Sequence, residues 1–181
     1  MSSNVRQIFA QFVSGLAILT AVVFVSALVA GVPVKEILGW VQLSAYSAPQ
    51  WPDLSVLARA SLQVQIHVAA AMGAFFIGLL QFIGPKGATV HRVLGWSWCV
   101  LMLITAVSSF WIVGLNGKMY SPIHGLSALT VIAVPGVIAA ARRHDIKAHK
   151  KAVYGLFIGA LVIAGLFTLL PGRLMWHVFF N

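Results

Sequence analysis

The sequence predicts an all-α membrane protein with five transmembrane helices, the last four forming a pseudo-repeated four-helix bundle. Three observations predict it. Of 181 residues, 60% are hydrophobic and only 8% charged, with a mean hydropathy of +0.96, whereas a soluble domain is about a quarter charged. The charged residues divide the chain into five charge-free stretches, 7–34, 60–85, 93–117, 119–141 and 152–172, each long enough for the ~20 residues that cross ~30 Å of hydrocarbon. The alternating apolar/polar pattern of a membrane barrel is absent, so the backbone amides of each stretch have to pair within it, as a helix.

Residues 1–6 are short and polar, with Arg6 their only charge. The run behind them is too long for a signal-peptide core and lacks a small-x-small cleavage site, so residues 8–31 are expected as a retained helix that Pro33 ends. Lys35 to Leu43 is expected as a short amphipathic helix on the membrane surface, with Trp40, Tyr46 and Trp51 at headgroup depth. Asp53 then serves as N-cap of one long helix running from Leu54 to about Phe82. This divides the chain into residues 1–53, a span with an outer interfacial loop, and residues 54–181, a four-helix bundle with a short tail.

In the second part, the basic turn Gly84 to Arg92 leads into a third helix opening near His91 and ending near Leu115, where Asn116-Gly117 marks a turn. Ser121-Pro122 starts the fourth helix, with proline at a tolerated first-turn position, and Pro135-Gly136 is expected to kink or loosen it. The loop 142–151 carries five of the twelve basic residues. The fifth helix runs to about Leu170, Pro171-Gly172 closes it, and the aromatic tail 173–181 is expected at the interface.

The formal charge of +9 sits in loops beside apolar spans, so it orients the chain in a bilayer and does not point to nucleic acid. The N-terminus and the loops 84–92 and 142–151 carry Arg6, Lys86, Arg92, Arg142, Arg143, Lys147, Lys150 and Lys151. The other side carries Lys35, Arg59, Lys118 and Arg173. This excess places the N-terminus inside and the C-terminus outside a bacterial inner membrane. Cys99 is the only cysteine, which excludes an intrachain disulfide, a c-type haem attachment and an iron–sulfur cluster. The five stretches contain no Asp, Glu, Lys or Arg, which argues against a proton pump or ion-coupled transporter.

The functional signal is a repeat of histidines. His67 and His91 are 24 residues apart and His124 and His149 are 25 apart, and each opens an apolar run. Neighbouring runs cross in opposite directions, so His67 and His124 fall toward one face and His91 and His149 toward the other. At 1.5 Å per residue, His67 lies about 22 Å from Phe82 and His124 about 25 Å from Ala141, several ångströms inside a ~30 Å core. An imidazole there needs a partner and is a functional candidate. Two facing pairs, one per leaflet, suit a two-haem electron-transfer bundle. Small residues follow each ligand, namely Ala70 and Ala71, Ser127 and Ala128, Gly95, and Ala152, although such residues also serve ordinary helix packing. Arg59 and Lys118 outside, with Arg92 and Lys147 inside, are candidate partners for haem propionates. His144 and His177 have no counterpart in the repeat and read as loop and interface residues.

The pattern His67, His91-Arg92-x-x-Gly95, His124-Gly125-x-Ser127 and His149 resembles a bacterial membrane family classed as a domain of unknown function, over about residues 60–170. That family's name implies no activity. The layout of four histidines on four helices is also similar to the di-haem transmembrane b-type cytochromes of the ascorbate-reducible kind. This second resemblance implies haem b, one or two groups, with iron ligands His67 with His124 and His91 with His149. The expected function is membrane electron transfer between a quinone or protein donor and a partner on the other face. Two alternatives stand beside it: a cofactor-free accessory subunit of a larger respiratory or photosynthetic complex, and a histidine-lined site for a metal ion or quinone.

Overall fold

The computed structural model describes residues 51–112, 122–169 and 173–180. The expected first span over residues 8–31, the surface helix over 35–43, and Lys118 fall outside the described residues. Among those described there are only helices. They are α1 (Leu54–Ala58), α2 (Leu62–Ile83), α3 (Thr89–Ser109), α4 (Pro122–Arg142), α5 (Ile146–Phe167) and α6 (Leu174–Phe180). Four are long and apolar enough to cross a membrane: α2, α3, α4 from His124, and α5, with 22, 21, 19 and 22 residues. Each packs on its neighbours in sequence, and α5 returns against α2. The spans close into a ring in which α2 lies diagonally from α4, and α3 from α5.

The boundaries differ from the expected ones in three places, each with a local cause. The single helix over 54–82 is two helices, broken at Arg59–Ser61. Asp53 does cap the first, its Oδ1 accepting from the Ser55 amide at 2.9 Å. At the break, the Gln65 side chain donates to the carbonyls of Ala58 and Ala60 at 3.1 and 2.9 Å, supplying partners that the interrupted helix no longer provides. The third helix ends its α-helical part at Ser109, short of Leu115. There the Ser108 and Ser109 hydroxyls donate to carbonyls three residues back, and Phe110, Trp111 and Ile112 close tight i−3 turns. Hydroxyls that compete for backbone carbonyls favour such endings.

The third difference is the basic loop expected over 142–151, which is only a tight turn. The Asp145 carboxylate accepts from the Ala148 amide at 2.9 Å and starts α5 at Ile146. The turn is a Schellman arrangement: Asp145 N–H donates to Ala140 O and His144 N–H to Ala141 O, with His144 in the left-handed region at φ 58°. Pro135 sits inside α4 without ending it.

The core lies at the middle of the ring. Ala74 from α2, Trp98 and Met102 from α3, Val134 and Val137 from α4, and Leu156, Phe157 and Leu161 from α5 are buried together. Gly78 lets α2 and α5 close on each other, since a Cβ there would run into the Phe157 ring and lie 3.2 Å from Trp98 Nε1. An aromatic series fills the same interface: Phe75 stacks on Phe157, Phe157 meets Phe82 edge-on, and Phe82 stacks on Tyr154. Residues Leu156–Ile163 of α5 are wound as π-helix. At the far end α1 and α6 pack together, the Asp53 amide donating to Val178 O at 2.9 Å.

Two measurements check this description. His144→Gly relieves an L-residue of a left-handed conformation that costs roughly 1 kcal/mol, so it should raise the unfolding midpoint in detergent, and His144→Val should lower it. The Ser55 side chain and amide, with Arg59 nearby, hold the Asp53 carboxyl below its ordinary pKa. A lowered folded-state pKa adds stability above the ordinary carboxylate range and loses it as pH falls through the folded value. Protection of the Ser55 amide against hydrogen exchange should therefore fade on acidification, and Asp53→Ala should remove that dependence.

Candidate histidine site

The buried polar side chains among the described residues are Ser108, Ser109, His124, Ser127 and Thr130. Four of them belong to the last turns of α3 or the first turns of α4, and Thr130 lies a turn deeper with its hydroxyl donating to Leu126 O, so the polar interior is weighted toward one end of the bundle. His67 reaches the same place from α2. Its Nδ1 lies 2.9 Å from Thr105 O and 3.1 Å from Ser108 Oγ. A carbonyl can only accept, so Nδ1 carries the proton and Nε2 holds the lone pair in the neutral ring. His124, 6% exposed, packs against Phe110 with ring centroids 6.1 Å apart. One turn on, the Ser127 hydroxyl pairs with Ser109 Oγ at 2.5 Å. The outer histidines thus come from diagonal helices and both meet the C-terminal end of α3.

The inner histidines lie near the start of their helices, His91 as the third residue of α3 and His149 as the fourth of α5. Both are partly buried. His149 Nδ1 lies 3.2 Å from Val137 O on α4, which sets its tautomer as Thr105 O sets that of His67. The His91 carbonyl accepts from the Gln81 amide at 3.2 Å, tying α2 to the start of α3.

Of the expected small residues, Ala70 and Ser127 face the interior and Ala71, Gly95 and Ala152 are partly buried, while Ala128 is exposed. Arg59, Arg92 and Lys147 are exposed at the two ends. Arg92 lies near its own turn, Nη2 3.4 Å from Gly87 O. His144 is exposed in the Schellman turn, and His177 sits in α6 edge-on to Trp176. No cluster of three or more His, Cys, Asp or Glu that could hold a bare metal ion occurs among the described residues. Sequence reasoning missed Thr105, Ser108 and Ser109. The signal was there: hydroxyls at i, i+3 and i+4 near the end of a span, two or three turns beyond Trp98.

The Ser109–Ser127 hydroxyl pair joins two helices within lipid, where such bonds average about 0.6 kcal/mol. Ser109→Ala should lower unfolding stability in detergent by about that amount. Ser97→Ala, which removes a hydroxyl bonded within its own helix to Val93 O, should leave stability nearly unchanged.

Comparison with known proteins adds a family. No curated protein and no solved structure matches this chain. The family model described as "Predicted membrane protein (DUF2306)" matches residues 64–179, from just before His67 to the end of α6. A match over that share of the sequence places the chain in this membrane-protein family.

Proposed function

We propose that this chain is a membrane electron-transfer protein holding b-type haem between paired histidines, His67 with His124 and His91 with His149. The observation that carries the reading is the tethering of His67 and His149. Each commits Nδ1 to a main-chain carbonyl of a neighbouring helix, the arrangement that fixes an imidazole for metal ligation through Nε2. The pairing is supported by the ring of spans, which sets the partners on diagonal helices. The filled midplane directs any flat cofactor to the two ends of the bundle, where the histidines are. When bound, haem supplies one-electron chemistry whose potential its ligands and surroundings tune.

The residues of the chain do the rest. His67, His124, His91 and His149 hold iron, and Arg59 and Arg92 meet propionates at opposite ends. Thr105 O and Val137 O orient the rings, and the apolar core between the histidines excludes water. The donor is a quinone or a protein, the acceptor a partner across a bacterial inner membrane, and the chain crosses five times with its N-terminus inside. A second reading, a cofactor-free subunit packed in a larger respiratory or photosynthetic complex, draws on the complete side-chain packing around Gly78 and Phe157.

A reduced-minus-oxidised spectrum of the purified protein, with a pyridine haemochrome count, separates the two. The redox reading expects b-type α and Soret bands. His67→Ala or His124→Ala should remove the outer group, and His91→Ala or His149→Ala the inner one. A folded protein without pigment that co-purifies at fixed stoichiometry with a larger complex would establish the second reading instead.

A further inference from the structure

The end of the bundle that carries His91 and His149 is strongly basic. Lys86, Arg142, Arg143, Lys147, Lys150 and Lys151 are all exposed there. The local acid, Asp145, already accepts from the Ala148 amide, and Lys86 caps α2 through Phe82 O and Gly84 O at 2.6 and 2.8 Å. Arg142 differs from the others. From the last turn of α4 it reaches over the Trp96 ring of α3, its guanidinium 6.0 Å from the ring centroid, so the cation is held at the seam of two spans. Trp96 is itself 53% exposed and belongs to a stripe on α3 with Val93, Val100, Ile104 and Val107, all exposed. From residue 93 to 107 this stripe is about 21 Å long at 1.5 Å per residue, more than the ~15 Å half-thickness of the hydrocarbon core.

We propose that the α3–α4 seam at this end binds an anionic phospholipid, its phosphate on Arg142 and an acyl chain along the Val93–Val107 stripe. The combination selects lipid over a soluble acidic polypeptide. A polypeptide would meet the cations alone, whereas a phospholipid fits a cation set directly above an apolar stripe of leaflet depth. Guanidinium groups suit phosphate through their planar fork of donors. An interfacial Trp beneath the headgroup keeps Arg142 at the seam.

The test uses the full chain in nanodiscs of mixed phosphatidylcholine and phosphatidylglycerol, with the lipids retained by the protein counted by native mass spectrometry. Phosphatidylglycerol should be enriched over its share of the disc. Arg142→Gln should lower that enrichment about fivefold, the ~1 kcal/mol of one basic residue in direct contact with an anionic headgroup. Lys150→Gln, equally exposed at the same end, should leave it unchanged. Brominated phosphatidylglycerol should quench tryptophan fluorescence more than brominated phosphatidylcholine, and Trp96→Leu should narrow the difference. Equal retention of the two lipids overturns the proposal, as does a loss in Lys150→Gln that matches Arg142→Gln. Capture of polyglutamate from solution without any lipid preference overturns it too.

Discussion

A polar group inside hydrocarbon has to find its partner within the protein, and this bundle meets that demand mainly through one helix. The last turns of α3 offer Thr105 O, Ser108 Oγ and Ser109 Oγ, and these receive His67 from α2 and Ser127 from α4. The same hydroxyls draw on the carbonyls of their own helix and help to end it at Ser109. One short run of small polar residues therefore joins three spans and sets where a helix stops. The other end is ordered differently, by Gln81 on the His91 carbonyl, His149 on Val137 O, and the capping carboxylate of Asp145. Between the two ends the contacts are apolar.

This division frames the functional reading. Among the described residues the midplane is apolar and the imidazoles lie toward the two ends, the arrangement that the proposed cofactor sites require. It is poorly suited to a continuous polar pathway. The stretches 60–85, 93–117, 119–141 and 152–172 carry no Asp, Glu, Lys or Arg, and most of the buried hydroxyls gather toward one end. The proposed electron transfer needs fixed spacing and a controlled dielectric, whereas ion movement needs polar groups all along the route. The proposed lipid seam stands apart from this interior, on the outer surface of α3 and α4.

Much of the fold was legible because charge is costly in lipid: the charge-free stretches 60–85, 93–117, 119–141 and 152–172 each fall on one of the four described spans, which run past them at Arg92, at Arg142 and from Lys147 to Lys151. Caps were legible where the side chain itself does the work, as at Asp53. The break at Arg59–Ser61 was not, because it rests on the Gln65 side chain reaching back five and seven residues to the carbonyls of Ala60 and Ala58, which nothing at 59–61 signals. The loop expected at 142–151 was misread because its basic residues look like a solvated segment, whereas Asp145 can start a helix in their midst. In the site, the placing of His67 and His124 toward one end of the bundle followed from the alternating directions of the spans. Which carbonyl each ring would meet did not, since that depends on how neighbouring helices rotate against each other.

The Gly78–Phe157 approach carries a consequence for how such chains change over time. The two positions lie on different spans, 79 residues apart in the sequence, yet the missing side chain of one is the space that the ring of the other fills. Neither can grow without the other shrinking. In descendants of this sequence, bulk at position 78 is viable only alongside a smaller residue at 157. The pair would therefore drift as a linked unit, while the lipid-facing residues beside it vary one at a time.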